Sequence, residues 1–138
     1  MAGFVSTVRV RYAETDQMGV AHHGAYIPWF EEARIEWLRA CGISYRDLER
    51  QGILMPVVEV AITYKRPLRF DDVAELTTSA EVLGPSRVRF STEVRLHGED
   101  MLRAEAQVTV AATTPEGRPT RLPASLSATA AQGPKQPG

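Results

Sequence analysis

At 138 residues the chain has room for one hydrophobic core and not comfortably for two. Apolar residues make up 43% and charged residues 24%, the balance of an ordinary globular domain, which excludes disorder along the whole length. Sixteen Lys and Arg face seventeen Asp and Glu, a net charge of -1, so no global field draws the chain to nucleic acid or an anionic membrane, and any basic site must be local. The single Cys41 has no partner for an intrachain disulfide and no metal-spaced Cys or His near it, and is read as a core thiol. The N-terminus lacks a continuous apolar stretch, and no charge-free run approaches the ~20 residues of a membrane span. A cytoplasmic protein without a membrane partner is the expectation.

Val8, Val10 and Tyr12 alternate with Arg9 and Arg11, the period of a strand with one face buried, and Tyr12 is expected to end that strand on its apolar face. From about Gly24 the period changes. Tyr26, Phe30, Ala33, Trp37 and Cys41 recur at three-to-four spacing, with Ile27, Trp29, Ile35 and Leu38 widening the stripe, which predicts a helix from about 24 to 41 buried on most of its circumference. Pro28 falls in its first turn, where a missing N–H costs little, and Gly42 follows as a C-cap. "SYRDLERQG" reads as a short second helix with Ser44 as N-cap. Strands follow: Val58, Val60, Ile62 and Tyr64 on one face before Pro67, then three long alternating runs over 74–82, 87–96 and 102–112 separated by "LGPS" and "HGED" turns.

Three long strands joined by short turns make an antiparallel meander, and its dry face needs a cover. The helix from about 24 to 41 is the one element with enough apolar surface, so the predicted class is α+β, a long five-stranded antiparallel sheet wrapped around a central helix. Beyond Thr114 the composition shifts to Pro, Ala, Ser, Gly and Gln. One domain over residues 1–126 and a mobile tail over residues 127–138 are expected.

This order of elements resembles the hotdog fold, and "RYAETDQMGVAHHGAYIPWFEEARIEWLR" is similar to the signature of the 4-hydroxybenzoyl-CoA thioesterase family, in particular its YbgC-like acyl-CoA thioesterases. The matching positions are Tyr12, the Glu14-Thr15-Asp16 triplet, Gly19, His23, Tyr26, Phe30 and the segment from Ala33 to Arg39. "YKRPLRFDDVAEL" resembles a second block of that family. The resemblance implies hydrolysis of a thioester, usually of coenzyme A, without metal or cofactor. It also implies a homodimer or a homotetramer built as a dimer of dimers, a central catalytic carboxylate at Asp16 and a catalytic or substrate-positioning role for His23. His22 and the Gln17-Met18 pair depart from the usual pattern.

The residues themselves allow this chemistry and also a plainer one. A carboxylate, ordinarily ionised at neutral pH, can take a proton from attacking water or attack the carbonyl itself; Asp16 can equally close an Asx turn. The start of the helix near His23 and Gly24 offers unsatisfied N–H groups for an oxyanion, although Gly24 can equally be a helix cap. Two adjacent histidines with no acidic or sulfur ligand at a fixed offset are not read as a metal site. Tyr12 and Tyr26 are candidates to line the pocket. Glu59 interrupts an apolar strand and either faces solvent or meets the site across a dimer. Lys65, Arg66 and Arg89 are candidate contacts for the phosphates of coenzyme A, against the alternative of a solvated strand face. The competing functions are a carrier-protein thioesterase and a non-catalytic acyl-CoA-binding module. No platform of stacking aromatics flanked by Lys and Arg points to nucleic acid.

Overall fold

Residues that alternate in the sequence become strands with one wet and one dry face: β1 (Phe4–Arg9), β2 (Val57–Tyr64), β3 (Val73–Val82), β4 (Arg87–Leu96) and β5 (Leu102–Ala111). In the computed structural model, which describes residues 3–136, these pair antiparallel into one sheet in the order β1-β3-β4-β5-β2. The register places Leu76, Val94 and Ala104 on one transverse row and Ala80, Phe90 and Val108 on another. These rows line the dry face. The opposite face carries Glu75, Glu81, Arg89, Arg95 and Glu105, which is the alternation expected of a half-wet sheet.

The cover is α1 (Tyr26–Ala40), which buries Tyr26, Trp29, Phe30, Ala33, Trp37 and Leu38. Trp37 has no exposed surface and meets the Phe90 ring edge-on at 5.4 Å. Each large side chain so buried contributes roughly 1.5–3 kcal/mol. Gly42, at φ +82°, turns the chain out of α1, and Ser44 Oγ accepts the Asp47 N–H at the start of α2 (Tyr45–Arg50). The sheet around a buried helix is thus the architecture that the resemblance implies.

Three local expectations are corrected. β1 stops at Arg9, and Tyr12 opens a 3-10 turn with its side chain 77% exposed, so it is not on the apolar face. A bulge between Val57 and Glu59 breaks the alternation of β2, and Val57 rather than Val58 stands opposite Val110. The boundary expected at residue 126 falls inside α3 (Ala124–Ala130), because Leu122, Leu126 and Ala130 form a stripe at four-residue spacing that is buried against the core. Residues 1–2 and 137–138, the ends of the two expected segments, lie outside the described residues.

The two sheet edges differ. On β1 the side-chain amide of Gln136 accepts the Val5 N–H and donates to the Val5 carbonyl, both at 2.7 Å. Among the described residues no side chain caps β2 in this way, and Val57, Val58, Val60 and Tyr64 are all more than 40% exposed. Among the described residues no helix is long and apolar enough to cross a membrane.

Candidate active site

The site is built on the stretch that links β1 to α1. Beyond β1, Val10 is buried, its N–H bonded to the Asp72 carbonyl, and the chain then folds into the 3-10 turn Tyr12–Glu14. Glu14 is a carboxylate only 7% exposed, which physics tolerates only with partners. It has three donors. The Arg11 N–H reaches Oε1 at 2.8 Å, and the Trp29 indole N–H from α1 and the Arg11 guanidinium reach Oε2 at 2.9 and 3.3 Å. Burial pushes the Glu14 carboxyl up, but the hydrogen bonds from Arg11 and Trp29 and the Arg11 charge outweigh it and hold its pKa below the ordinary value. Its backbone carbonyl also accepts the His22 N–H at 2.9 Å. Glu14 therefore ties the turn, the following loop and α1 together.

That loop is a tight hairpin. Thr15 pairs with Ala21, the Asp16 N–H donates to the Val20 carbonyl at 3.0 Å, and Gly19 supplies the positive φ of +78° the reversal requires. Asp16 sits at its exposed tip, where Oδ1 accepts the Met18 N–H at 2.9 Å. This is the Asx turn. The returning arm is pinned by the Ala21 N–H on the Leu68 carbonyl at 2.8 Å and by a bridge from Val20 to Arg69.

It then runs directly into a second 3-10 turn, His23–Ala25, which leads into α1. The Ala25 N–H bonds to the His22 carbonyl at 3.0 Å; the N–H groups of His23 and Gly24 bond to no carbonyl among the described residues. A Cβ at Gly24 would meet only the His22 ring, at 3.5 Å, so close approach is not what demands glycine there. Beside this turn a cavity of about 290 Å³ is lined by Ala21, His23, Tyr26, Tyr64, Lys65 and Arg66, with Pro67. Tyr64 donates its hydroxyl to the His23 carbonyl at 2.6 Å and packs edge-on against Tyr26 at 5.1 Å. Burial pushes the Tyr26 and Tyr64 hydroxyls up, so both stay protonated at neutral pH. The basic corner is held by the Arg103 carbonyl, which accepts the Lys65 and Arg66 N–H groups at 2.8 and 3.0 Å.

Of the residues nominated from the sequence, the structure brings together His23, Tyr26, Lys65 and Arg66, with Gly24 adjoining. Asp16 stands on the neighbouring hairpin and does not line that cavity. Tyr12 lies outside it, edge-on to Phe70 at 5.5 Å. Glu59 and Arg89 point from the outer sheet face, exposed and half-buried respectively, and Arg89 pairs with Glu81 at 3.2 Å. A larger depression of about 430 Å³ on that outer face, floored by Ser79, Ser91 and Gln107, contains none of the nominated residues. Two residues named in the sequence without a site role, Tyr64 and Glu14, help build the site. Tyr64 could have been found as a tyrosine at the head of the basic "YKRP" run, and Glu14 as an acid within the turn sequence.

A five-stranded antiparallel sheet wrapped around a buried helix is the hotdog architecture, and the class the chain falls in is that of the thioester hydrolases built on it. The chain belongs to the thioesterase-like superfamily, which matches residues 10–129. Within that family it is similar to the acyl-CoA thioester hydrolase YbgC of Escherichia coli, 32% identical over 88% of this chain and 90% of that one. It is also 43% identical to a putative acyl-CoA thioesterase, YneP, of Bacillus subtilis, over just 54% of each chain. The crystal structure of a DHNA-CoA thioesterase from Staphylococcus aureus superposes with a TM-score of 0.83 at 31% identity, covering 88% of this chain and 82% of that one.

Proposed function

We propose that the protein hydrolyses acyl-CoA thioesters to the free acid and coenzyme A. Water oxygen adds to the carbonyl carbon, the C–S bond breaks, and the thiolate leaves and takes up a proton. Asp16 drives the addition, by taking the proton of water or by attacking the carbonyl to form an anhydride that water then opens. The N–H groups of His23 and Gly24 receive the oxyanion, His23 positions substrate or water, and Lys65 and Arg66 meet the phosphates of coenzyme A. The observation that carries this reading is the continuity of the Asp16 hairpin with the His23–Ala25 turn and its two unengaged N–H groups. Asp16 Oδ1 caps the loop, and Oδ2 accepts no hydrogen bond among the described residues.

The test is thiol release from short, medium, branched and aromatic acyl-CoAs by the purified protein. Turnover of at least one class is expected. Binding without turnover across the panel would overturn hydrolysis in favour of an acyl-CoA-binding module, and faster release from a phosphopantetheine carrier than from the matching CoA ester would move the substrate to carrier proteins. Label found in Asp16 after a single turnover in ¹⁸O-water marks the anhydride route, with water opening the anhydride at the Asp16 carbonyl, and trapping of an acylated Asp16 by hydroxylamine detects the anhydride whichever carbonyl water attacks. The open, apolar β2 edge supports pairing with a second copy as a homodimer, or a dimer of dimers built from it. Sedimentation analysis distinguishes these from a monomer.

A further inference from the structure

We infer that Tyr64 is a positioning residue of the thioesterase site, aiming the Gly24 N–H by holding the other end of the same peptide unit. The inference rests on the functional reading above and adds a residue to it. A peptide bond is planar and trans, so the carbonyl of one residue and the N–H of the next point in opposite directions from one rigid plate. The His23 carbonyl and the Gly24 N–H belong to one such plate. Tyr64 donates to that carbonyl at 2.6 Å from 41 positions away in the chain. Gripping the oxygen therefore fixes where the N–H points, away from Tyr64 and free of any carbonyl among the described residues.

The grip is itself rigid. Tyr64 is the last residue of β2, opposite Ala104 in the register, and the next two residues are tied to the Arg103 carbonyl. The Arg103 guanidinium donates to the Pro67 carbonyl at 2.7 Å, closing that corner. The Tyr64 ring stacks edge-on against Tyr26, which is only 2% exposed. The ring is held on one side by Tyr26 and its backbone by the β2–β5 pairing, so the hydroxyl is placed by elements other than the turn it grips. The same hydrogen bond polarises the amide, because donation to a carbonyl strengthens the N–H of its own peptide unit as a donor. An oxyanion donor gains from both effects, since preorganised direction and donor strength are what such a site requires.

The test is Tyr64→Phe, which removes one oxygen and keeps the ring against Tyr26. With an acyl-CoA that the parent turns over, kcat should fall by roughly tenfold, less than the 10² to 10³ lost when an oxyanion donor is removed outright. KM should change less than kcat, within about twofold, because the phenyl ring keeps its place in the cavity wall and the lost hydroxyl is already engaged by the His23 carbonyl. In parallel, the Gly24 amide proton resonance should move upfield while the dispersion of the remaining spectrum shows an intact fold. A raised KM with unchanged kcat would make Tyr64 a substrate contact and overturn the inference, as would an unmoved Gly24 resonance together with parental kinetics. Should the parent hydrolyse no thioester, the functional reading falls. The Gly24 resonance then still decides whether Tyr64 holds that peptide.

Discussion

Glu14 and Asp16 stand two residues apart on one stretch of chain and live in opposite surroundings. The first is 7% exposed and has both oxygens occupied by Arg11 and Trp29. The second sits at an exposed hairpin tip and spends one oxygen on the loop's own backbone. Buried and bonded at both oxygens, Glu14 is placed to hold architecture rather than to meet a substrate. Asp16 is exposed and leaves Oδ2 without a hydrogen bond among the described residues. The difference separates a buried acid that ties the turn, the hairpin and α1 together from an exposed one that, on the proposed function, is the reagent.

The sharpest way to break this division is Asp16→Asn. The amide oxygen still accepts the Met18 N–H, so the fold should persist while thioester hydrolysis falls on the order of 10²- to 10⁴-fold, the usual scale for a general base; a folded Asn variant releasing thiol at the parental rate would end the assignment. Next in size is Glu14→Gln, expected to lower stability by about 2–3 kcal/mol in a urea titration, because buried hydrogen bonds to a charged group are lost or weakened. A loss under about 0.5 kcal/mol, the scale of an ordinary surface change, would show that Glu14 is no strut.

The same variant carries a pH signature. Because the folded pKa of Glu14 is lowered, its contribution is fully present above the unfolded value and is lost as pH falls through the folded one. Parent and Glu14→Gln should therefore differ most near neutrality and converge in acid. A gap that widens on acidification has the wrong sign for this account. Of similar size, Trp29→Phe replaces a buried indole by a smaller phenyl ring and removes one donor to Glu14, for a loss of about 2 kcal/mol from cavity and hydrogen bond together. Smallest is the effect of Asp16→Asn on the thermal midpoint, expected within the error of a surface substitution.

Periodicity made the frame of the fold legible. The three-to-four spacing from Tyr26 to Trp37 and the strict alternation of β3, β4 and β5 each correspond to one buried face. What stayed hidden depends on partners far along the chain. The bulge at Val57 exists only through pairing with β5, and Tyr12 leaves the strand pattern because Glu14 folds back onto the Arg11 N–H. The stripe of Leu122, Leu126 and Ala130 was present at helical spacing but diluted by Pro, Ser and Ala. At the site, the Asp16–Tyr26 block announced itself by its unusual density of polar groups. The bond from Tyr64 to His23 spans 41 positions, and no local pattern encodes it.

The amide of Gln136 on the backbone of Val5 bears on how far such molecules can add to one another. A sheet with two free margins can accept neighbours at both, whereas one with backbone groups of one margin already occupied has a preferred side. At β1 the Val5 N–H and carbonyl are taken by Gln136, while among the described residues β2 carries no such contact and leaves its apolar side chains exposed. A strand added by another molecule would therefore find more free backbone at β2 than at β1.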